Sequence, residues 1–128
     1  MQKTILIIED DSNIRELLRL YLSQEGYKIE TAQDGLEGLR AFRAHEPDLI
    51  LLDLMMPGID GFEVIRRLRA NPETADIQIV ILSALNSNED VVKGFNEGAN
   101  DFIMKPIIME KLLSCVVTQM QLVAAKDR

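Results

Sequence analysis

The chain has 128 residues, 47% of them hydrophobic and 27% charged, which is an ordinary globular composition and sufficient for one domain with its own core. The net charge of −7 disfavours a nucleic-acid-binding surface, and no apolar run is long enough to span a membrane. Because the N-terminus does not resemble a signal peptide and the single cysteine, Cys115, cannot form an internal disulfide, we expect a cytoplasmic protein.

Five short β-rich segments alternate with longer segments along the chain. The predicted strands are 3–9, 27–31, 49–53, 77–83 and 102–105. The first, third and fourth contain the continuous apolar runs ILII, LILL and IVIL, which are typical of central strands buried on both faces. The second strand, YKIET, alternates and suits a sheet edge.

The segments between and after the strands have apolar residues at helical spacing. A first helix is indicated by Ile14, Leu17, Leu18, Tyr21 and Leu22, and Asp11 or Ser12 can cap it. Three further helices are marked by Leu36, Leu39 and Phe42, by Phe62, Ile65 and Leu68, and by Val91, Val92 and Phe95. A fifth helix begins near Ile108.

This alternation predicts the fold class. Strands that alternate with helices imply a parallel sheet covered by helices on both faces. Right-handed crossovers leave few arrangements, and the doubly wound order 2-1-3-4-5 is the natural one. We therefore predict a single α/β domain over 1–128, a flavodoxin-like (βα)5 fold with a five-stranded parallel sheet.

Asp53 ends the third strand, where an unpaired buried carboxylate would be costly. In open α/β sheets, ligands bind at the carboxyl ends of the strands where the strand order reverses, here between the first and third strands. Because the first strand ends in Glu9 and Asp10, these side chains should converge with Asp53. A hard divalent cation, for which Mg²⁺ is the best candidate, would relieve their repulsion. The simpler alternative is that these acids are solvated loop residues or helix caps, and for Asp11 we favour this alternative.

Two other strand ends carry polar groups to the same edge. The fourth strand ends in Ser83, a hydroxyl, and the fifth ends in Lys105, an ammonium. Either alone would be a turn hydroxyl or a solvated lysine. Together with a metal and a carboxylate they form a cradle for a phosphoryl group, in which positioning and charge neutralisation provide most of the catalysis.

Four sequence motifs, in order along the chain, resemble those of a response regulator receiver domain (CheY-like) of two-component signalling. They are EDD after the first strand, DLMMPGIDG after the third, SA after the fourth and KP after the fifth. The resemblance covers nearly the whole chain. It implies that Asp53 is the phosphorylation site and that Glu9, Asp10, Asp53 and the backbone carbonyl of Met55 bind Mg²⁺.

The resemblance also assigns the switch residues. Ser83 and Lys105 would contact the phosphoryl oxygens, Phe102 occupies the aromatic switch position, and Pro106 would follow a cis peptide bond. Three positions depart from the common pattern. Glu9 stands where Asp is commoner, Phe102 replaces Tyr, and the positions two residues beyond Asp53 and Ser83 are the apolar Met55 and Leu85.

The function that the resemblance implies is that of a switch rather than a turnover enzyme. A sensor histidine kinase or a histidine phosphotransfer protein would supply the phosphoryl group, and autodephosphorylation would be slow. The fourth helix, fifth strand and fifth helix would form the face that signals to a downstream target or a fused output domain, or that forms a homodimer. We expect no direct contact with nucleic acid or membrane.

Three alternatives can be weighed on single features. A phosphatase of the haloacid dehalogenase type has an Asp nucleophile and Mg²⁺, but it needs a second acid where this chain has Met55. A flavodoxin needs a first loop that accepts a phosphate, and EDDSN would repel one. A metal-free receiver that only binds proteins would usually have lost Asp53 or Lys105.

The last helix raises a separate question. Leu113, Val116, Met120 and Val123 have the spacing of a coiled-coil seam. The simpler interpretation is that this helix packs on the sheet. The alternative is that the tail from about residue 118 begins a linker helix to an output domain or a dimer partner.

Overall fold

The five strands form one parallel sheet in the predicted order, β2-β1-β3-β4-β5. The structure is a computed structural model that describes residues 2–85 and 87–126. The strands are β1 (Thr4–Ile8), β2 (Lys28–Ala32), β3 (Leu49–Asp53), β4 (Gln78–Ser83) and β5 (Asp101–Met104). Every residue of β3 and β4 is buried, as their continuous apolar sequences predict.

Five helices follow the strands one by one. They are α1 (Ser12–Gln24), α2 (Gly35–His45), α3 (Gly61–Ala70), α4 (Asn88–Glu97) and α5 (Met109–Lys126). Four of them begin at a side-chain cap, provided by Asp11, Asp34, Asp60 and Ser87. No helix among the described residues is both long and apolar enough to cross a bilayer.

Successive side chains of each strand point to opposite faces, so the sheet carries two cores. One core packs Ile50 and Leu52 of β3 against helix residues such as Ile65 of α3. The other packs Leu49 and Leu51 against Leu18 of α1 and several residues of α5. Helices therefore cover both faces of the sheet, as predicted.

Some residues expected on the buried helix faces are exposed instead. Leu17 of α1 is 55% exposed and Leu36 of α2 is 47% exposed. On each helix, the strip of surface that contacts the sheet is narrower than the strip of apolar residues. In α4, Val92 and Phe95 are also exposed. There Gly94 faces the sheet, at such close range that a Cβ atom would lie 2.8 Å from Ile81 Cδ1.

The last helix packs along the sheet as far as it is described. Leu112 and Val116 are buried in the second core, as the simpler interpretation of the seam expects, and Met120 is buried there as well, whereas Val117 is exposed. Further on, Lys126 Nζ donates hydrogen bonds to the carbonyl of Asp76 (2.7 Å) and to Gln78 Oε1 (2.6 Å). The predicted domain and its tail extend over 1–128, so their outermost residues lie outside the described ranges, and the linker helix stays a prediction.

Candidate functional site

Four strand ends converge at the carboxyl edge of the sheet. Glu9 follows β1, Asp53 ends β3, Ser83 ends β4 and Lys105 follows β5. The parallel register places Asp53 opposite Leu82, next to Ser83, so the adjacent ends of β3 and β4 lie at the same level. The acids and the lysine that were predicted from separate segments therefore meet at one place.

The Asp53 carboxylate is 4% exposed. Its Oδ1 accepts a hydrogen bond from the backbone N–H of Met55 (3.2 Å), and its Oδ2 lies 3.5 Å from Lys105 Nζ. These two contacts hold a buried charge at the end of an apolar strand, where it would otherwise be costly. They also present the carboxylate edge in a defined orientation.

Glu9 is even more buried, at 1% exposure, and forms an ion pair with Lys105 Nζ. Burial, together with the neighbouring Asp53 carboxylate, raises the pKa of Glu9 to about 7, although Lys105 acts in the opposite direction. Burial alone would lower the pKa of Lys105, but the hydrogen bond to Glu9 and the charge of Asp53 leave that pKa above its usual value. One ammonium thus faces two carboxylates. The site therefore has uncompensated negative charge, which a further cation could neutralise.

The chain after β1 is held by local contacts. Asp11 caps α1 by accepting hydrogen bonds from the N–H groups of Asn13 (2.9 Å) and Ile14 (3.1 Å), as predicted for a cap. Arg15 donates from Nη1 to the backbone carbonyl of Glu9 (2.7 Å). The sequence did not predict this arginine contact, because a charged residue in the first turn of a helix is ordinarily solvated.

The three predicted acidic ligands are close enough to share an ion. Carboxylate oxygens of Glu9, Asp10 and Asp53 lie within 4.8 Å of one another, and Asp10 is exposed to solvent. A cluster made only of hard oxygen donors fits Mg²⁺. The cluster could therefore hold such an ion at the solvent side of the site, and the contribution of the Met55 carbonyl stays a prediction.

The close approach of α3 to β3 shapes the loop beside Asp53. A Cβ atom on Gly61 would lie 2.6 Å from the backbone oxygen of Asp53 and 2.8 Å from Leu54 Cα, so no larger residue fits without moving the backbone. In the loop between β3 and α3, Met55 is 55% exposed. A shallow groove of about 420 Å³, lined by residues that include Asp10, Met55 and Leu85, lies beside the acids.

The remaining predicted switch residues lie around β4 and β5. Ser83 is fully buried, and its Oγ accepts a hydrogen bond from the N–H of Leu85 (3.1 Å). Phe102 is partly buried and packs against the core near Gly94. The Lys105–Pro106 peptide bond is cis. The roles assigned to these residues stay predictions.

Cys115 lies outside this site. Its thiol donates a hydrogen bond to Asp101 Oδ2 (3.2 Å), and burial raises its pKa to about 12, with Asp101 adding to the effect. Such a thiol is protonated at neutral pH and is a poor nucleophile. This agrees with a small, largely apolar packing residue rather than a reactive one.

Comparison with known proteins agrees with the motifs and the geometry. A family model described as a response regulator receiver domain matches residues 5–117. The transcriptional regulatory protein AfsQ1 of Streptomyces coelicolor is 47% identical over 104 residues, which are 81% of this chain and 45% of that protein. The DNA-binding dual master transcriptional regulator RpaA of Synechocystis is 44% identical over 112 residues, which are 88% of this chain and 46% of that protein. The chain thus spans less than half the length of these two curated relatives.

Solved structures show the same fold. The crystal structure of the chemotaxis protein CheY4 of Vibrio cholerae is similar to this chain with a TM-score of 0.87 and 30% identity, and the match covers 92% of this chain and 98% of that one. The predicted doubly wound fold is therefore confirmed both by the strand order and by this neighbour.

Proposed function

Because this chain belongs to the response regulator receiver domain family, we propose that Asp53 is its phosphoryl acceptor. The observation that carries the proposal is the buried Asp53 carboxylate, which lies 3.5 Å from Lys105 Nζ and shares an acidic cluster with Glu9 and Asp10. The donor is a phosphohistidine on a sensor histidine kinase or on a histidine phosphotransfer protein.

The transfer is an in-line displacement at phosphorus. An oxygen of the Asp53 carboxylate forms the new bond to phosphorus, while the bond from phosphorus to the histidine nitrogen breaks and leaves its electron pair on the imidazole. Glu9, Asp10 and Asp53, with the Met55 carbonyl, would hold Mg²⁺, which would supply positive charge to the phosphoryl oxygens. The backbone N–H of Met55, bonded to Oδ1, orients the carboxylate for attack.

The product places about 1.5 to 2 negative charges at the end of β3. Lys105 is close enough to pair with a phosphoryl oxygen, and this would draw it away from Glu9. The Ser83 hydroxyl, which accepts a hydrogen bond from Leu85, can donate its own hydrogen to a second phosphoryl oxygen. The start of the loop after β4 then follows Ser83, and Phe102 can occupy the space that this movement vacates.

The readout face is the surface formed by α4, β5 and α5. It carries several exposed apolar side chains, at Val92, Phe95, Met104, Ile108 and Val117. Such a patch suits a protein partner, and we propose that it binds a downstream target or a fused output domain, or pairs with a second copy. The two curated relatives are named as transcriptional regulators, so a DNA-binding output beyond this domain is the favoured arrangement. The acidic domain itself does not bind nucleic acid, and it acts in the cytoplasm.

The chain is a receiver domain and not a phosphatase of the haloacid dehalogenase type. That alternative needs a second acid two residues after the nucleophile, and the side chain there is the apolar, half-exposed Met55. The flavodoxin alternative is disfavoured by the acidic loop at Glu9 and Asp10. We propose that the domain works as a switch with slow autodephosphorylation rather than with multiple turnovers.

The direct test is phosphorylation by acetyl phosphate with Mg²⁺, followed by intact-protein mass measurement. We expect the mass of one phosphoryl group to appear in the wild type and to be absent in Asp53→Asn. Asp11→Asn is the matched control, because Asp11 lies near the acids but only caps α1, and asparagine caps equally well. An equal mass shift in Asp53→Asn would refute the assignment.

A further inference from the structure

Arg69, in the last turn of α3, uses every N–H group of its side chain. Nε and Nη2 both donate to the carbonyl of Gly98 (3.0 and 2.7 Å). Nη1 donates to the carbonyls of Ala75 (2.8 Å) and Ile77 (2.6 Å), and Nη2 also donates to Asn100 Oδ1 (3.0 Å). These are five hydrogen bonds from the five donors that a guanidinium has.

The contacts of Arg69 join three separate segments of the chain. It ties the end of α3 to the loop before β4 and to the loop between α4 and β5. Asn100 extends the connection, because its Oδ1 also accepts from the N–H of Ile79 (2.8 Å) and its own N–H donates to the Ile79 carbonyl (2.8 Å). A partly buried guanidinium is costly unless its donors are satisfied, and here all of them are.

The C-terminal end of α4 is built around this arginine. Gly98 caps the helix with φ = +118°, and a Cβ atom at this position would lie 2.9 Å from Arg69 Cγ and 3.0 Å from Nε. The preceding residue, Glu97, accepts a hydrogen bond from Arg66 Nε at 3.0 Å. Two consecutive residues at this end of α4 are therefore held to α3.

The N-terminal end of α4 is held differently. Ser87 Oγ accepts from the N–H of Asp90 (3.1 Å) and donates to Asp90 Oδ2 (2.7 Å), and the Val91 N–H donates to the Ser87 carbonyl (3.1 Å). These bonds stay within the first turn of the helix. Ser87 also follows Ser83, at the end of β4, by only four residues. Because the bonds described for this end lie within residues 87–91, they move with the helix and do not tie it to another element.

We propose that Arg69 is a positioning residue that fixes the C-terminal end of α4, so that the helix pivots about Gly98 when its N-terminal end follows Ser83. The trigger for the pivot rests on the proposed phosphorylation of Asp53, whereas the clamp exists without it. A pivot at Gly98 makes the displacement largest at Asn88, the first residue of α4, and it also moves Val92, the first α4 residue of the exposed apolar patch.

The clamp is tested by hydrogen–deuterium exchange of the whole, unphosphorylated chain. In Arg69→Lys and Arg69→Met, we expect the amides of residues 98–101 to exchange at least roughly tenfold faster, since loss of even one or two of the five hydrogen bonds changes an opening equilibrium by about that factor. The matched control is Arg67→Met, because Arg67 is on the same helix and its ion-pair partner among the described residues is Glu63, in α3 itself. Unchanged exchange at 98–101, or an equal increase in every segment, would overturn the clamp.

The pivot is tested by amide chemical shifts with and without beryllofluoride and Mg²⁺, a stable substitute for the phosphoryl group. In the wild type we expect large changes at residues 84–85 and 87–92 and small ones at 97–101. In Arg69→Lys and in Gly98→Ala, which displaces the arginine stem, the changes should extend to 97–101. Equal changes at both ends of α4 in the wild type would contradict the pivot alone. No change anywhere would contradict the phosphoryl-acceptor proposal, and the exchange measurement would still decide the clamp.

Discussion

Glu9 is the most buried acid of the cluster, and its partner is Lys105 rather than solvent. An aspartate at this position would be one methylene shorter. The longer side chain therefore brings the first acidic position into contact with the lysine that is proposed to meet the phosphoryl group. When Asp53 is phosphorylated, Lys105 must therefore give up its ion pair with Glu9 in order to contact the phosphoryl group.

The raised pKa of Glu9 predicts a pH dependence of stability. The unfolded chain has the ordinary value of 4.5, whereas the folded chain has about 7. The stabilisation from the proton on Glu9 is therefore complete below pH 4.5 and is lost as the pH rises towards 7, with a slope of at most about 1.4 kcal/mol per pH unit for one proton. Denaturation of the metal-free protein between pH 5 and 8 should show this decline, and Glu9→Gln should lack it. Parallel pH curves for the two proteins would contradict the assignment to Glu9.

The apolar residues Met55 and Leu85 predict a long-lived phosphoryl group. Hydrolysis needs a water molecule positioned on the side of phosphorus opposite the leaving Asp53 oxygen. Neither side chain offers a hydrogen bond that would orient this water. Loss of one such contact typically changes a rate by one to a few powers of ten. After removal of the donor, decay of the phosphoprotein should be faster in Met55→Asn or in Leu85→Glu than in the wild type. If neither substitution changes the decay, the apolar flanks do not control the lifetime.

At the scale of elements, the junction between β3 and α3 determines where Asp53 lies. The first residue of α3, Gly61, approaches the backbone of Asp53 and Leu54, and its N–H donates to the Leu54 carbonyl (3.0 Å). The cap at Asp60, which accepts from the Glu63 N–H (2.9 Å), begins the helix immediately beside the strand end. The strand and the helix therefore cannot separate without moving the acceptor residue.

This junction predicts that Gly61→Ala destabilises the fold and weakens phosphorylation. The added methyl meets backbone atoms, so overpacking should cost about 1–3 kcal/mol. Gly35→Ala is the matched comparison, because Gly35 is also the first residue of a helix capped by Asp, but the atoms nearest to its added methyl would be side-chain atoms of Ile59 and Val64. Chemical denaturation should show the larger loss in Gly61→Ala. A larger loss in Gly35→Ala would contradict this account.

At the scale of the whole molecule, the sheet gathers negative charge at one edge from positions far apart in the chain. The two buried carboxylates, Glu9 and Asp53, face a single ammonium, and Asp10 adds a third negative charge at the surface. Lys105, which contacts both buried carboxylates, offsets only part of this repulsion. A cation at this edge should therefore stabilise the entire domain.

We accordingly expect Mg²⁺ to raise the melting temperature of the unphosphorylated protein. At ten times the dissociation constant, a ligand of the folded state adds about 1.4 kcal/mol, which corresponds to a few degrees for a domain of this size. Thermal melts with Mg²⁺ and with chelator measure the difference. Asp10→Asn should remove most of it, with Asp11→Asn as the control that retains it. An undiminished Mg²⁺ response in Asp10→Asn would contradict its role as a ligand.

The order of the strands and the set of strand ends that carry polar groups could be determined from the sequence alone. The apolar runs of β1, β3 and β4 require burial on both faces, and right-handed crossovers then leave few arrangements of the sheet. Since parallel strands present their carboxyl ends at one edge, Glu9, Asp53 and Lys105 had to lie at the same edge once that order was established. Local capping rules likewise identified Asp11 as a cap.

The contacts that these side chains make could be determined only from the tertiary structure. Glu9 and Lys105 are 96 positions apart, and their ion pair depends on the reach of two long side chains across the sheet edge. The five hydrogen bonds of Arg69 depend on loops that only the packing of the fold brings together. Leu17 and Leu36 face solvent because the part of each helix surface that contacts the sheet depends on how closely the helix approaches it. Apolar periodicity determines which elements form and which way they face, because it is a local property of the chain. The pairing of long polar side chains depends on distances between elements, which no local pattern contains.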